Sequence, residues 1–447
     1  MKIALLGQDM PMLLPALLAD LLFACGETGA EVTLEEKNPA MADVLQGYGG
    51  AVFRHAGLPS ALTVTASREE ALRGANAVLY AGDPRAASGF DMDRNALGSD
   101  DEDNPGLTDQ ARVNGGLEGL LHALRAGDAV LDLCDDLDRL CPETVIINLG
   151  QPMARTTGVF LNRGYRCFGL GRSPLRGSHG VDTYARRLGL APAALKNLTS
   201  PSAASGPETA EAVTGGLPGF AFLLSLREGK RDLMPKLRRA AENGEMGSLA
   251  KRWLSWWDAL PVGDVTDLAE FLPAQEGFIP EEHPEFGETV EKRKERILYM
   301  NTVREQGADS REGAMAQLLL LSKAPPVRPV RLALALLRRE TAMIPAVTRR
   351  NGRLFPQLPP EAVVEAPLYL AEGRDVTPTL RVSEALADIL TEVDRANRLA
   401  AKAAEGDREA VREYIETDPA LAGLDRLYCL DVADALIRLH AETLSRF

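Results

Sequence analysis

The chain has 447 residues, 45% of them hydrophobic and 26% charged, the balance of a globular protein long enough for two or three domains. A formal net charge of −14 argues against nucleic acid and anionic membrane as partners, because neither is attracted to such a field. Five cysteines (Cys25, Cys134, Cys141, Cys167 and Cys429) form no C-x-x-C pair and no zinc spacing, so they read as reduced thiols of a cytoplasmic protein.

Met1 stands directly before the first strand, so no signal peptide is expected, and no apolar run is long enough to span a bilayer. Residues 2–6 (KIALL) are a short apolar run closed by Gly7, and residues 10–23 repeat apolar side chains at helical spacing. A second run, 31–34 (EVTL), ends in Glu35 and Glu36. Strand, tight turn, helix, strand and acidic end make the first unit of a nucleotide-binding α/β domain. In such a unit the turn carries N–H groups to a pyrophosphate and the acid takes a ribose diol. One part departs from the pattern: Asp9 stands where the fingerprint has its second glycine, adding a side chain and a negative charge where backbone should approach phosphate.

Further strands are expected at 62–65 and 77–81, with a short helix over 67–74 between them. Residues 91–103 (DMDRNALGSDDED) read as an exposed loop whose acids form a solvated face. The spacing then predicts a long amphipathic helix over 115–140, a strand at 144–149 (TVIINL), and a last short strand at 166–170. Alternation of strand and helix predicts a doubly wound, Rossmann-like parallel sheet over residues 1–199. Residues 200–447 form a second, mixed and mainly helical α+β domain. It opens on a Pro/Ser/Ala/Gly loop at 200–206 and a strand-rich stretch at 213–226. Helices are expected at 233–242, 249–257, 267–271, 289–306 and 311–323, a strand at 363–369, and helix from 381 onward. Residues 327–337 fit strand or helix equally, and Asn351-Gly352 signals a turn.

Five segments in order resemble one family. They are KIALLG…LLADLL at the start, NGGLEGLLHALR…DLDRLCPETVIINLGQPM over 114–153, GGLPGFAFLLSLREGKRDLMPKLR over 215–238, NGRLFPQLPPEAVVEAPLYL over 351–370, and GDREA at 406–410. Together they resemble the family 4 glycoside hydrolases, the NAD- and divalent-metal-dependent glycosidases related to lactate and malate dehydrogenases. The resemblance implies oxidation of a sugar at C3 by hydride transfer to NAD, loss of the C2 proton, elimination of the aglycone, addition of water and return of the hydride. It also implies a Mn²⁺-type Lewis acid held by one cysteine and one histidine.

Carried over residue by residue, the family's first loop glycine matches Gly7, with Gln8, Asp9 and Met10 completing the phosphate turn, and its ribose acid matches Glu36. The segment Ile147-Asn148-Leu149-Gly150-Gln151-Pro152-Met153 supplies Asn148 and Gln151 as substrate contacts. The metal-binding cysteine falls on Gly171, the metal-binding histidine on Gly219, and an expected arginine on Gly82. A divalent metal is therefore not expected. Losing about 4 kcal/mol of Lewis-acid stabilisation would slow a step roughly a thousandfold. Arg172, beside the vacant cysteine position, is a candidate substrate-binding charge in place of the ion, or a structural ion pair. Asp264, in Gly263-Asp264-Val265-Thr266, is the one catalytic candidate.

Of the remaining residues, His179 reads as a satisfied polar residue rather than a metal ligand, and Cys167 as a buried strand residue. Trp253, Trp256 and Trp257 recur at helix period, which favours core or subunit interface over a sugar-stacking platform. No P-loop, H-E-x-x-H or G-x-S-x-G occurs. Two readings follow. One is a divergent, NAD-linked and sugar-active protein of the family that lacks the metal-dependent reaction. The other is a non-catalytic relative that keeps the fold to bind a sugar, a nucleotide or a partner; the small molecule expected is a sugar or sugar phosphate. Either is expected to be a cytoplasmic homo-oligomer.

Overall fold

The structure, a computed structural model, describes residues 1–7, 10–25, 29–56, 61–83, 89, 92–93, 95–97, 112–171, 177–190, 210–273, 294–295, 297–302 and 328–447. The chain begins β1 (Lys2–Gly7), α1 (Met10–Cys25), β2 (Glu31–Glu35), α2 (Pro39–Ala56), β3 (Ala61–Thr65), α3 (Arg68–Leu72) and β4 (Ala77–Ala81). It continues α4 (Gly116–Leu140), β5 (Val145–Asn148), α5 (Met153–Asn162), β6 (Arg166–Gly169) and α6 (Val181–Arg187). There follow β7 (Ala210–Leu217), β8 (Phe220–Glu228), β9 (Arg231–Asp232), α7 (Met234–Glu242), α8 (Ser248–Trp257), β10 (Leu260–Val262) and α9 (Val265–Ala269). The last elements are α10 (Pro329–Leu337), β11 (Ala342–Arg350), β12 (Val363–Ala371), β13 (Arg374–Asp375), α11 (Glu384–Ala403), α12 (Arg408–Thr417) and α13 (Arg426–Leu439). Helix α2 and strand β11 lie outside the sequence expectation, and 327–337 resolves as helix. The expected helix at 311–323, and the loop at 200–206 with the domain boundary, fall outside the described residues.

Strands β3, β2, β1, β4, β5 and β6 run parallel in that order. Their interiors are apolar on both faces because helices cover both. Ile3 and Leu5 face the layer of α1, α2 and α10, while Ala4 and Leu6 face Leu72, Val130 and Phe160 of α3, α4 and α5. The sheet does not stop at β6. It continues antiparallel through β11, β12, β7, β8 and β10, so residues before 199 and after 200 share one sheet. Local signals set the helix starts: the Ser67 hydroxyl accepts the Glu70 N–H at 3.2 Å, and Ser383 accepts that of Leu386 at 3.2 Å.

The register aligns one transverse row across the sheet. Leu6, Tyr80, Asn148, Gly169, Thr348, Glu365 and Gly216 are successive partners on β1, β4, β5, β6, β11, β12 and β7. Partners in a row share a face. This row runs along the carboxyl ends of the parallel strands, the edge at which α/β sheets bind ligands.

The reading of 91–103 as a solvated acidic face fails at Asp93. That residue is 0% exposed, and its carboxylate lies 2.6 Å from Nη2 of Arg125 on α4 and 2.5 Å from Nε2 of His440. An acid in a charge run is buried here because a cation and an imidazole from distant parts of the chain meet it.

Candidate functional site

At the edge of the sheet the ends of three strands touch backbone to backbone. Gly7 has φ of 124°, and a Cβ added to it would meet the Gly82 carbonyl oxygen at 2.5 Å. A Cβ on Gly150 would lie 3.0 Å from the Gly82 nitrogen. Only glycine permits both the conformation and the approach at Gly7. The result is a floor of closely packed backbone at the ends of β1, β4 and β5, the edge at which α/β sheets bind dinucleotides. Gly82, where the resemblance has an arginine, is part of that floor.

The residues around this floor are placed as follows. Glu36 follows β2; its backbone N–H donates to Thr65 at 2.9 Å and its carboxylate accepts the Asn38 N–H at 2.8 Å. Asn38 in turn caps the next helix by accepting from Ala40 and Met41 at 3.0 and 3.2 Å. Met10 opens α1 but its side chain is in the core. Pro11, one residue on, has no N–H to offer a phosphate, a signal in the sequence that the motif reading passes over. Gln8, Asp9 and Arg172 lie outside the described residues.

Asn148 is fully buried and its polar atoms are taken within the protein. Its amide donates to Thr156 and Thr157 of α5 at 2.8 and 2.9 Å, and its carbonyl accepts the Gly150 N–H at 2.9 Å. It pins the loop after β5 to α5. Gln151 is exposed, and its side-chain carbonyl accepts the Met153 N–H at 3.0 Å, capping α5. Asp264 sits between Gly263 and α9, close enough to His179 to act on its charge. Burial, with Arg187 assisting, pushes the His179 imidazole down to about 4, while Asp264 opposes that shift. His179 is neutral; Nδ1 meets the Ser178 hydroxyl at 3.2 Å, and its backbone N–H donates to Gly263 at 2.9 Å.

The two positions assigned to metal ligands have different surroundings. A Cβ at Gly171 would sit 3.7 Å from Oε2 of Glu365 and 4.0 Å from Cε of Met153, both ordinary contacts. Gly219 turns β7 into β8 with φ of 80°, and a Cβ there would meet the Phe271 ring at 3.3 Å and Nδ2 of Asn114 at 3.9 Å. That turn rests on an aromatic cluster: Phe220 packs on Trp253, Trp257 and Phe271 at 5.3, 5.9 and 5.3 Å. Trp253 and Trp257 thus belong to the core, and Trp256, 44% exposed, lies under the Arg252 guanidinium. Beside Gly219, Oε2 of Glu270 accepts both the backbone N–H and the side-chain amide of Asn114, at 3.0 and 2.7 Å. Burial pushes Glu270 up to about 7. Among the described residues no group of three His, Cys, Asp or Glu side chains could hold a metal ion, and no helix is long and apolar enough to cross a membrane.

Glu365 is the site residue that motif reading missed. It is 6% exposed, between Thr348 and Gly216 in the transverse row, and its carboxyl has no hydrogen-bond or ion-pair partner among the described residues. Burial alone pushes that carboxyl up to about 8. The available signal was a single charged residue inside the apolar run of β12. Nothing in the sequence tied it to Gly171, because that neighbour lies almost two hundred residues away.

Comparison with known proteins agrees with this architecture. Residues 2–175 match the family model described as Family 4 glycosyl hydrolase. An alpha-glucosidase from Erwinia rhapontici is 31% identical over 157 residues, 34% of this chain and 33% of that protein, so the matched stretch spans about a third of the curated relative's length. The 6-phospho-beta glucosidase from Thermotoga maritima superposes with a TM-score of 0.72 at 16% identity, covering 99% of each chain. That enzyme has also been solved with manganese, NAD+ and glucose-6-phosphate. A 6-phospho-alpha-glucosidase from gut microorganisms, solved with NAD and Mn2+, has a TM-score of 0.71 at 13% identity, covering 99% of this chain and 98% of that one. Over residues 2–175 the chain is thus similar to the family 4 glycosyl hydrolases, and its described residues share the fold of the 6-phospho-glucosidases.

Proposed function

We propose that the protein is a sugar-phosphate-binding, NAD-linked relative of the family 4 glycosidases whose site works without the family's divalent ion. The observation that carries this reading is the pair Gly171 and Glu365. The position assigned to the metal's cysteine has no donor side chain, and the polar group that a Cβ there would meet among the described residues is one buried carboxyl. One carboxyl with glycines at 171 and 219 is a poor donor set for an ion of the Mn²⁺ kind. The ion does not fit these residues, and no part of the proposed chemistry uses it.

A dinucleotide fits better. The packed backbone of Gly7, Gly82 and Gly150 lies at the strand ends where a dinucleotide would cross, and Glu36 stands at the end of β2 where a ribose would lie. Gly7 and Glu36 would hold the cofactor, which supplies a hydride acceptor when bound. The remaining work belongs to the chain itself: Asn148 and Gln151 fix the loop between β5 and α5, and Glu365 faces the ligand space. The glucose-6-phosphate bound to the T. maritima relative supports a small phosphorylated sugar as ligand. The protein is taken to act in the cytoplasm as a homo-oligomer.

Asp9 and Pro11 favour the second reading, a non-catalytic relative, since one adds negative charge and the other removes an N–H at the phosphate turn. Calorimetric titration of the metal-free protein with NAD⁺ separates the two. Micromolar binding is expected if the dinucleotide crevice is in use. Absence of binding at millimolar NAD⁺ would reduce the opening turn to a structural element and leave the non-catalytic reading.

A further inference from the structure

We propose that the Glu365 carboxyl recognises its ligand directly, by hydrogen-bonding a ring hydroxyl of a phosphorylated sugar held in the space beside Gly171. This rests on the sugar-phosphate reading above and names the group that reads the sugar. Three independent observations converge on it. The first is isolation. Three buried charged groups among the described residues give the contrast: Asp93 is matched by Arg125 and His440, and Asp394 by Arg398 and the Val363 N–H at 2.8 and 3.1 Å. Arg349 is matched by Asp375 and the Pro367 carbonyl. The Glu365 carboxyl, in a residue 6% exposed, has no partner among the described residues. A buried polar group without a partner costs on the order of 1–3 kcal/mol, so its retention calls for a role outside the folded chain's own hydrogen bonds.

The second is space. A Cβ at residue 171 would stand 3.7 Å from Oε2, in ordinary contact, so glycine there sets no side chain against the carboxyl. The third is position. The transverse register puts Glu365 in line with Asn148 and Gly169, along the edge where the parallel strands end. Burial adds a chemical match. It holds the carboxyl in its neutral form at neutral pH, and burial is the one influence acting on it. A neutral carboxyl offers one O–H donor and an acceptor oxygen, which pairs with a hydroxyl that both donates and accepts. It also adds no negative charge beside an anionic phosphate.

The test is calorimetric titration of the full-length protein with glucose 6-phosphate, 2-deoxyglucose 6-phosphate and 3-deoxyglucose 6-phosphate. Glu365→Ala is expected to weaken glucose 6-phosphate roughly tenfold, the effect of one lost hydrogen bond. It should leave unchanged the affinity for whichever deoxy analogue lacks the recognised hydroxyl, and Glu365→Gln, which keeps a donor and an acceptor, should retain most of the parent affinity. Equal weakening by Glu365→Ala of all three ligands, and of the 1-deoxy and 4-deoxy analogues as well, would mean a structural role and overturn the proposal. Should the alanine variant fail to fold, Gly171→Leu provides the second test by filling the space in front of the carboxyl. Loss of glucose 6-phosphate affinity by roughly tenfold or more at an unchanged melting temperature supports the proposal, and unchanged affinity overturns it. If the native protein binds none of the three sugars, the sugar-phosphate reading fails and this proposal with it. If it binds them and the variants do not discriminate, only this proposal fails.

Discussion

Replacing Asp93 by alanine is expected to lower the unfolding free energy by about 3–5 kcal/mol, the range for removing one partner of a buried ion pair. The carboxylate joins three parts of the fold. Its Oδ2 lies 2.6 Å from the Arg125 guanidinium on α4, and its Oδ1 lies 2.5 Å from Nε2 of His440, just after α13. Arg125 and His440 also approach each other at 3.2 Å, so the three side chains form one closed cluster. Without Asp93 the Arg125 charge stays buried after losing its carboxylate, and the desolvation cost is no longer offset. Asparagine at the same position keeps the shape and one acceptor, so its cost should be smaller than that of alanine. Chemical denaturation of the two variants measures the difference. Equal and small effects of both would mean that the cluster contributes little.

A second large effect is expected from pH. Burial raises the folded Glu365 carboxyl from its ordinary 4.5 to about 8. A raised folded value means that the unfolded chain releases this proton first as pH increases. The contribution of the neutral carboxyl is therefore complete below about pH 4.5 and is lost as pH rises through about 8. The Glu365→Gln variant carries no such proton. It should gain on the native protein by roughly 2–5 kcal/mol between about pH 5 and pH 9, since each tenfold difference in proton affinity between the folded and unfolded chain is worth about 1.4 kcal/mol. Glu270, raised to about 7, and Asp20, raised to about 6, act with the same sign but are common to both proteins. Unfolding midpoints at the two pH values give the comparison. A difference between native and variant that does not change with pH would mean that Glu365 has an ordinary carboxyl.

Those two groups also show what the sequence could and could not reveal. The opening β1–α1–β2 unit was readable because its parts are adjacent and each carries a local signal: an apolar run, a glycine, helical spacing and an acidic end. The long helix α4 and the strand β5 were readable for the same reason. The helix α10 was ambiguous because Val330, Leu332, Ala333, Leu334, Ala335 and Leu336 are buried all round it, so it lacks the polar face that marks a surface helix. Asp93 looked like one acid among many, since its partners lie on α4 and beyond α13. Glu365 was hidden in the same way. Its register partners Thr348 and Gly216, and its neighbour Gly171, come from three separate strands or strand ends that only the assembled sheet brings together. Asn148 was found by motif, but its motif could not say that Thr156, Thr157 and Gly150 take up its polar atoms.

The central claim, a family 4 fold whose sugar site works without a divalent ion, is tested most directly by the manganese content of the purified protein. The protein would be equilibrated with Mn²⁺, freed of unbound ion by gel filtration, and assayed by elemental analysis. With glycine at 171 and 219, the protein is expected to retain manganese far below one ion per chain. A tightly held, one-to-one ion would show that other residues have taken over the ligand positions, and would contradict the account.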